Sequence, residues 1–244
     1  SGYRVVTNFS FAGRYEDYEG WERYQTASAI MQETFSREKE MTAIDALNLF
    51  SRKYRHEVLG VNYYQENAPQ YIVDQDFIPR RITSAVVVFE GVKAGSNPLH
   101  TIMWTALGYP ACAVAVPLLV HGAHLPYYML ARDTAAAQAN DLHSEMCDAS
   151  LRIKDQWAFP MHISNGKRYV ALQTILVGTE NKPALMTCTN DVETKIQSDF
   201  LPLYQQWTTD KISDEEFWQS YDHMANRWMQ TYYDTFQPYL SNEK

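Results

Sequence analysis

The chain has 244 residues, 45% of them hydrophobic, and 21 Lys and Arg against 29 Asp and Glu give it a net charge of -8. A chain of this length buries about 70% of the surface its unfolded form exposes, so a single domain over residues 1–244 with a substantial core is expected. The acidic balance, with no basic cluster interleaved with aromatics, excludes nucleic acid as a partner, and the longest apolar run, Ala111 to Val120, is too short to span a bilayer.

In chain order, Tyr3 to Ser10 has strand character almost from the first residue, so the chain reads as the middle of a protein. Trp21, Tyr24, Ala27, Met31 and Phe35 recur at helical spacing, and Ile44, Leu47, Phe50, Tyr54 and Val58 do so again. Thr42 and Asp45 read as a capping box for the second of these helices and Gly60 as its stop. The centre of the chain follows. Thr83 to Val92 is β-branched and apolar, and Thr101 to Val120 is a long apolar run broken at Gly108-Tyr109-Pro110. Both arms are expected as strands buried on both faces, paired antiparallel through the turn-forming stretch Gly91 to Pro98, with the helices of Trp21 to Leu59 covering one face.

Beyond the strands, Asp133 is expected to cap a third helix running towards Ile153. Tyr169 to Leu172 reads as a short strand or a helix start. Val192, Ile196, Phe200 and Leu203 form one helical stripe, bent or ended near Pro202, and Phe217, Tyr221, Met224 and Trp228 form another, capped by Ser213 and Glu216. Helices, then strands, then helices give an α+β fold with an antiparallel sheet inside and a helical C-terminal tail.

Val6-Thr7-Asn8 at a strand end, followed by Arg23-Tyr24 at the start of a helix within Trp21 to Ala27, resembles the choloylglycine hydrolase and isopenicillin-N acyltransferase branch of the N-terminal nucleophile hydrolases. The likeness spans Tyr3 to Leu119 in the order of elements. It implies a partial αββα sandwich belonging to an enzyme that cleaves linear, non-peptide amide bonds or transfers an acyl group, with a small-molecule amide as substrate and no cofactor or metal. The family's nucleophile, a Cys made N-terminal by processing, has no counterpart among these residues. The resemblance therefore implies a further segment or chain that carries it, and a chain inactive alone, with a homo-oligomer possible. Two residues carry over. Asn8 corresponds to the family's oxyanion donor, where a neutral, fixed amide offsets the charge of the tetrahedral intermediate. Arg23 corresponds to the arginine beside the nucleophile, where a permanent cation lowers a thiol pKa. The plainer readings are a turn cap or glycosylation acceptor for Asn8 and a solvated helix arginine paired with Glu19 for Arg23.

Other constellations are weaker. Arg80 and Arg81, at the entry to the central strand, can clamp a substrate carboxylate as paired guanidinium groups, with Asp76 close enough in sequence to neutralise one of them. Cys112 and His121 are a thiol and a base, but nine residues apart along a strand they stand too far from each other, so Cys112 is read as core. His100, His121 and His124 fit no metal-site spacing. Three cysteines, Cys112, Cys147 and Cys188, form no disulfide framework and leave the compartment open. Two rival readings stand beside the amide hydrolase: a non-catalytic ligand- or partner-binding α+β domain, and an enzyme using Ser1 as its own N-terminal nucleophile.

Overall fold

A computed structural model describes residues 4–5, 20–36, 41–120, 124–131, 144–162 and 168–241. It shows a mixed α+β molecule of helices and small antiparallel sheets. Helix α1 spans Trp21–Ser36 and α2 spans Ala43–Ser51. The Thr42 and Asp45 capping box forms as the sequence requires, satisfying two donors at the open end of α2. The helix stops at Ser51, earlier than expected. Tyr54–His56 (β1) and Val61–Tyr63 (β2) pair as a hairpin, so Tyr54 and Val58 leave the helix and Gly60 serves the hairpin turn at φ 63°. The α1 stripe is also corrected. Its buried residues are Arg23, Thr26 and Ile30, whereas Phe35 is 54% exposed.

Ile72–Val73 (β3) precedes the central meander of Ala85–Glu90 (β4), Ile102–Leu107 (β5) and Val116–Leu119 (β6). β4 and β5 pair antiparallel from Ala85 opposite Leu107 to Glu90 opposite Ile102, as the two apolar arms led one to expect. The long second arm is in fact two strands, because β5 turns at Gly108 and β6 returns beside it, Thr105 opposite Val116. One face is covered by the C-terminal helices, where Trp104 meets Phe200 edge-on. The expectation of burial on both faces fails for β4, whose Val87 and Phe89 are 43% and 65% exposed. α2 packs against β4, while α1 packs on the β1–β2 hairpin, so only one of the two early helices helps cover the sheet.

Glu145–Ile153 (α3) is capped by Ser144, whose hydroxyl accepts from the Cys147 N–H; Asp133, the expected cap, lies outside the described residues. The helix runs into a π turn over Lys154–Ala158. Met161–His162 (β7) and Arg168–Val170 (β8) join β3 in a second sheet, ordered β3-β8-β7. Leu172–Leu176 (α4) and a short hairpin of Gly178–Thr179 (β9) and Lys182–Pro183 (β10) lead to the long antiparallel pair Leu185–Thr208 (α5) and Asp214–Leu240 (α6). Residues 169–172 thus hold both the end of a strand and the start of a helix. α5 continues through Pro202, which sits on its exposed side, where water can take the carbonyl that the missing N–H frees. Ser213 and Glu216 form their capping box, and Phe217, Tyr221 and Trp228 are buried in the stripe expected of α6.

The densest part of the core is irregular chain. Tyr109 and Ala111 to Val116 are almost fully buried, yet all but the last lie outside any strand. Buried backbone without partners costs about 1–3 kcal/mol per group, so each polar group needs an answer from a side chain. Arg52, just past the end of α2, answers two of them. Its Nε donates to Pro110 O at 2.8 Å and its Nη2 to Ala113 O at 2.9 Å. The same guanidinium grips Glu193 of α5 with two 2.7 Å bonds and Asn48 with one of 2.9 Å. Glu193 in turn accepts from the Ala115 N–H at 2.7 Å. Thr189 donates to Ala111 O, Tyr232 to Cys112 O and Tyr221 to Pro117 O. Small residues at Ala111, Cys112, Ala113 and Ala115 let these donors reach the backbone.

Candidate functional site

Arg23 sits in the first turn of α1 and is only 8% exposed. Its helix is tied down one turn later by Thr26, whose hydroxyl donates to Glu22 O and accepts the Glu57 N–H, both at 3.0 Å. Further along, Arg55 of β1 holds Glu33 of α1 with bonds of 2.7 and 2.8 Å and Glu57 with bonds of 2.6 and 3.0 Å. These clamps fix the direction of α1 and with it the place of Arg23. A helix N-terminus carries partial positive charge, so a cation in that turn gains nothing from the helix dipole. Together they make a locale that favours negative charge. Asn8 lies outside the described residues, so its expected meeting with Arg23 is not placed.

The β1–β2 hairpin connects this helix to the second expected site. His56 and Tyr54 pack on Phe77, with ring centres 5.4 and 6.1 Å away, and Phe77 opens the turn that carries Arg80 and Arg81. That turn closes on itself: the Thr83 N–H donates to Arg80 O at 2.8 Å and the Arg80 N–H to Thr83 Oγ1 at 3.2 Å. The carboxylates that meet Arg81 are not Asp76. Asp74 accepts its backbone N–H at 2.6 Å, and Asp155, in the π turn after α3, faces its guanidinium at 4.0 Å. Asp76 instead takes a left-handed backbone, φ 65°, in the tight bend before Phe77.

Two further cations gather at Asp155. Arg168 of β8 donates through Nη1 to Asp155 Oδ1, Asp155 O and Phe159 O, each at 3.3 Å. Lys154, next in the chain, is 9% exposed, and burial lowers its pKa, opposed by Asp155 and reinforced by the like charge of Arg81. Arg81 Nε is buried with no acceptor among the described residues. Sequence reasoning found Arg81 and missed Lys154, Asp155 and Arg168. Asp155 to Lys167 reads as loop, and no residue pattern announces a π turn.

The thiols are of another kind. Burial pushes Cys112 far above the ordinary range, raises Cys147 and pushes Cys188 up to about 11. Cys112 is core, as its sequence context implied. His100 packs on Trp207 at a tilt of 56°, with ring centres 4.3 Å apart, and His124 stacks on Trp218 and pairs with Asp222 at 3.0 Å. His121 lies outside the described residues.

A groove of about 1130 Å³ separates the β4–β5 turn from the α5–α6 turn and is lined by Lys93, Asn97, His100, Tyr204, Trp207 and Lys211 among others. Several of its polar groups are already engaged. Trp207 donates to Asp214 at 2.7 Å, Tyr204 donates to His100 O at 2.7 Å, and Glu216 is held in its capping box. No helix among the described residues is long and apolar enough to cross a membrane. Comparison with protein-family models, with curated proteins and with solved structures finds no match to this chain.

Proposed function

We propose that this chain is part of a hydrolase or acyltransferase acting on linear amide bonds, within a partial αββα sandwich, with its nucleophile supplied by another segment or chain. The observation that carries the reading is Arg23, withdrawn from water in the first turn of a clamped helix. A desolvated guanidinium beside a helix N-terminus is suited to hold a thiolate or a developing oxyanion, because both fields favour the charged form. The described cysteines support a nucleophile from elsewhere, since each is held as a thiol by burial. In this reading Asn8 is the neutral oxyanion donor.

The test is turnover of a linear amide by the complete protein. Arg23→Ala and Asn8→Ala are each expected to lower kcat/KM about 100-fold or more, the usual cost of removing one such donor, with unchanged circular dichroism. Arg23→Lys should recover part of the loss. Unchanged turnover in both alanine variants would put the reading aside. The exposed apolar edge of β4, with Val87 and Phe89, favours a second reading, a non-catalytic domain that binds a partner through that strand.

A further inference from the structure

We propose that Arg81 and Lys154 form a receptor for a small carboxylate, with Arg168 and Asp155 as its frame. The inference deepens the amide-hydrolase reading, which supplies only the idea that the carboxylate belongs to a substrate.

Three observations carry it. The first is the charge balance: Arg81 and Arg168 both face one carboxylate among the described residues, Asp155, and Lys154 precedes it in the chain and feels its charge. The neighbouring Asp74 is committed to the Arg81 backbone at 2.6 Å. The second is the unequal use of Asp155. Arg168 holds it at 3.3 Å and also bonds two backbone carbonyls, whereas Arg81 stands at 4.0 Å, the outer limit of an ion pair. The third is the donor left over. Among the described residues, Arg81 Nε is buried without an acceptor, and Lys154 is held nearly out of water with Asp155 as the one carboxylate that acts on it. Buried donors without acceptors are rare because each forfeits the hydrogen bonds it had in water.

An incoming carboxylate removes both deficits. The Arg81 side chain is 36% exposed, so its guanidinium can swing off Asp155 and turn its Nε and Nη edge outward. That edge is a planar fork matched to the two oxygens of a carboxylate, and the Lys154 ammonium, on which the Arg81 charge acts, adds a second positive charge to the field. A carboxylate suits the fork because its two oxygens and the two guanidinium donors can lie in one plane. Asp155 stays in place through Arg168, so the site does not collapse when Arg81 moves.

The test is a titration of the complete protein with acetate, read by NMR at the arginine Nε–H signals. Arg55 is the internal control, since its Nε is already bonded to Glu57 at 3.0 Å. The expected result is a saturable shift of the Arg81 signal with the Arg55 signal unmoved, and acetate binding about tenfold weaker in Lys154→Met, the size of one lost charge-assisted bond. Arg81→Ala should abolish saturable binding; if that variant fails to fold, Lys154→Met decides alone. A linear, non-saturating response, equal shifts at Arg55, or unchanged affinity in Lys154→Met would overturn the site. Tighter binding of inorganic phosphate than of acetate would overturn the carboxylate class. Amide turnover is read separately: acetate binding in a protein without amidase activity refutes the enzymatic reading and leaves the receptor standing, whereas turnover without acetate binding does the reverse.

Discussion

Two arginines show how differently this molecule treats polar groups that it takes inside. Arg52 holds the loop from Gly108 to Pro117, and all of its N–H groups have acceptors: two backbone carbonyls, Asn48 and both oxygens of Glu193. Arg81 lies in the turn after Phe77, stands 4.0 Å from Asp155 and leaves Nε without an acceptor among the described residues. A buried charge is tolerable only when its hydrogen bonds are complete, so the first arrangement marks architecture. The incomplete set at Arg81 is what a site open to a ligand would show.

The strongest way to break this contrast is to remove each arginine's carboxylate. Glu193→Ala strands a buried guanidinium and the Ala115 N–H together, and is expected to cost about 3–5 kcal/mol of unfolding free energy, read as a large drop in the urea midpoint. Asp155→Ala removes a partner that is 46% exposed, for which a loss of about 1 kcal/mol or less is expected. Equal losses in the two variants would show that the Arg81 cluster is architecture as well.

Gly108 sharpens the same side of the comparison. Its φ of 109° lies where side-chain-bearing residues are strained, and a Cβ there would run into the Ser150 side chain. Gly108→Ala should therefore destabilise by about 1–3 kcal/mol for the backbone alone, with the steric conflict added. A thermal melt within about 1 °C of the parent would mean that the turn from β5 into the loop relaxes freely.

The contrast also separates what the sequence discloses from what it does not. The β4–β5 pairing and both capping boxes follow from local patterns: alternating apolar residues, turn formers, and Ser or Thr three residues before an acid. Past the break at Gly108-Tyr109-Pro110, Ala111 to Ala115 reads as a strand because uninterrupted apolar residues look alike in a strand and in any fully buried chain. What separates them is Arg52 and Glu193, which are 141 positions apart, and spacing along the chain carries no trace of such a pair. The same holds for the candidate site. Arg81 could be singled out as half of an Arg-Arg pair, but the arginine that joins it is Arg168, brought by the pairing of β8 with β3. Arg23 was singled out by resemblance alone. Its burial runs against the stripe of Trp21, Tyr24 and Phe35, because the Thr26–Glu57 bond turns a different face of α1 towards the hairpin.

A smaller effect is expected at alkaline pH, where the closed side of the molecule again dominates. Cys188 is buried in α5 and its pKa is pushed up to about 11, above the ordinary thiol value of about 8.5. Between these values the folded state keeps a proton that the unfolded state has lost, so stability falls as pH rises through that window. Cys188→Ala should flatten the fall without removing it, because burial also raises Tyr54, Tyr109 and Tyr232. An identical pH profile for variant and parent would show that the thiol is not held as buried.

The smallest expected effect belongs to the open side, and its sign is opposite. Burial lowers the Lys154 pKa, with Arg81 adding repulsion and Asp155 only partly compensating. Below the folded pKa the ammonium is charged in both states, so its desolvation is a full cost to the folded protein. Above the folded pKa the folded state gives up its proton first, and the cost is relieved as pH approaches the ordinary lysine value of about 10.4. Lys154→Met keeps the aliphatic stem and removes the charge, so it should raise Tm at pH 7 by about 1–2 °C, and the gain should shrink as pH rises. In the parent, added acetate should raise Tm too, because an anion bound only to the folded state stabilises it, and Lys154→Met should respond less. A variant less stable than the parent at pH 7 would mean that the Lys154 ammonium is well compensated where it stands, and the contrast between the saturated arginine and the open one would lose its second cation.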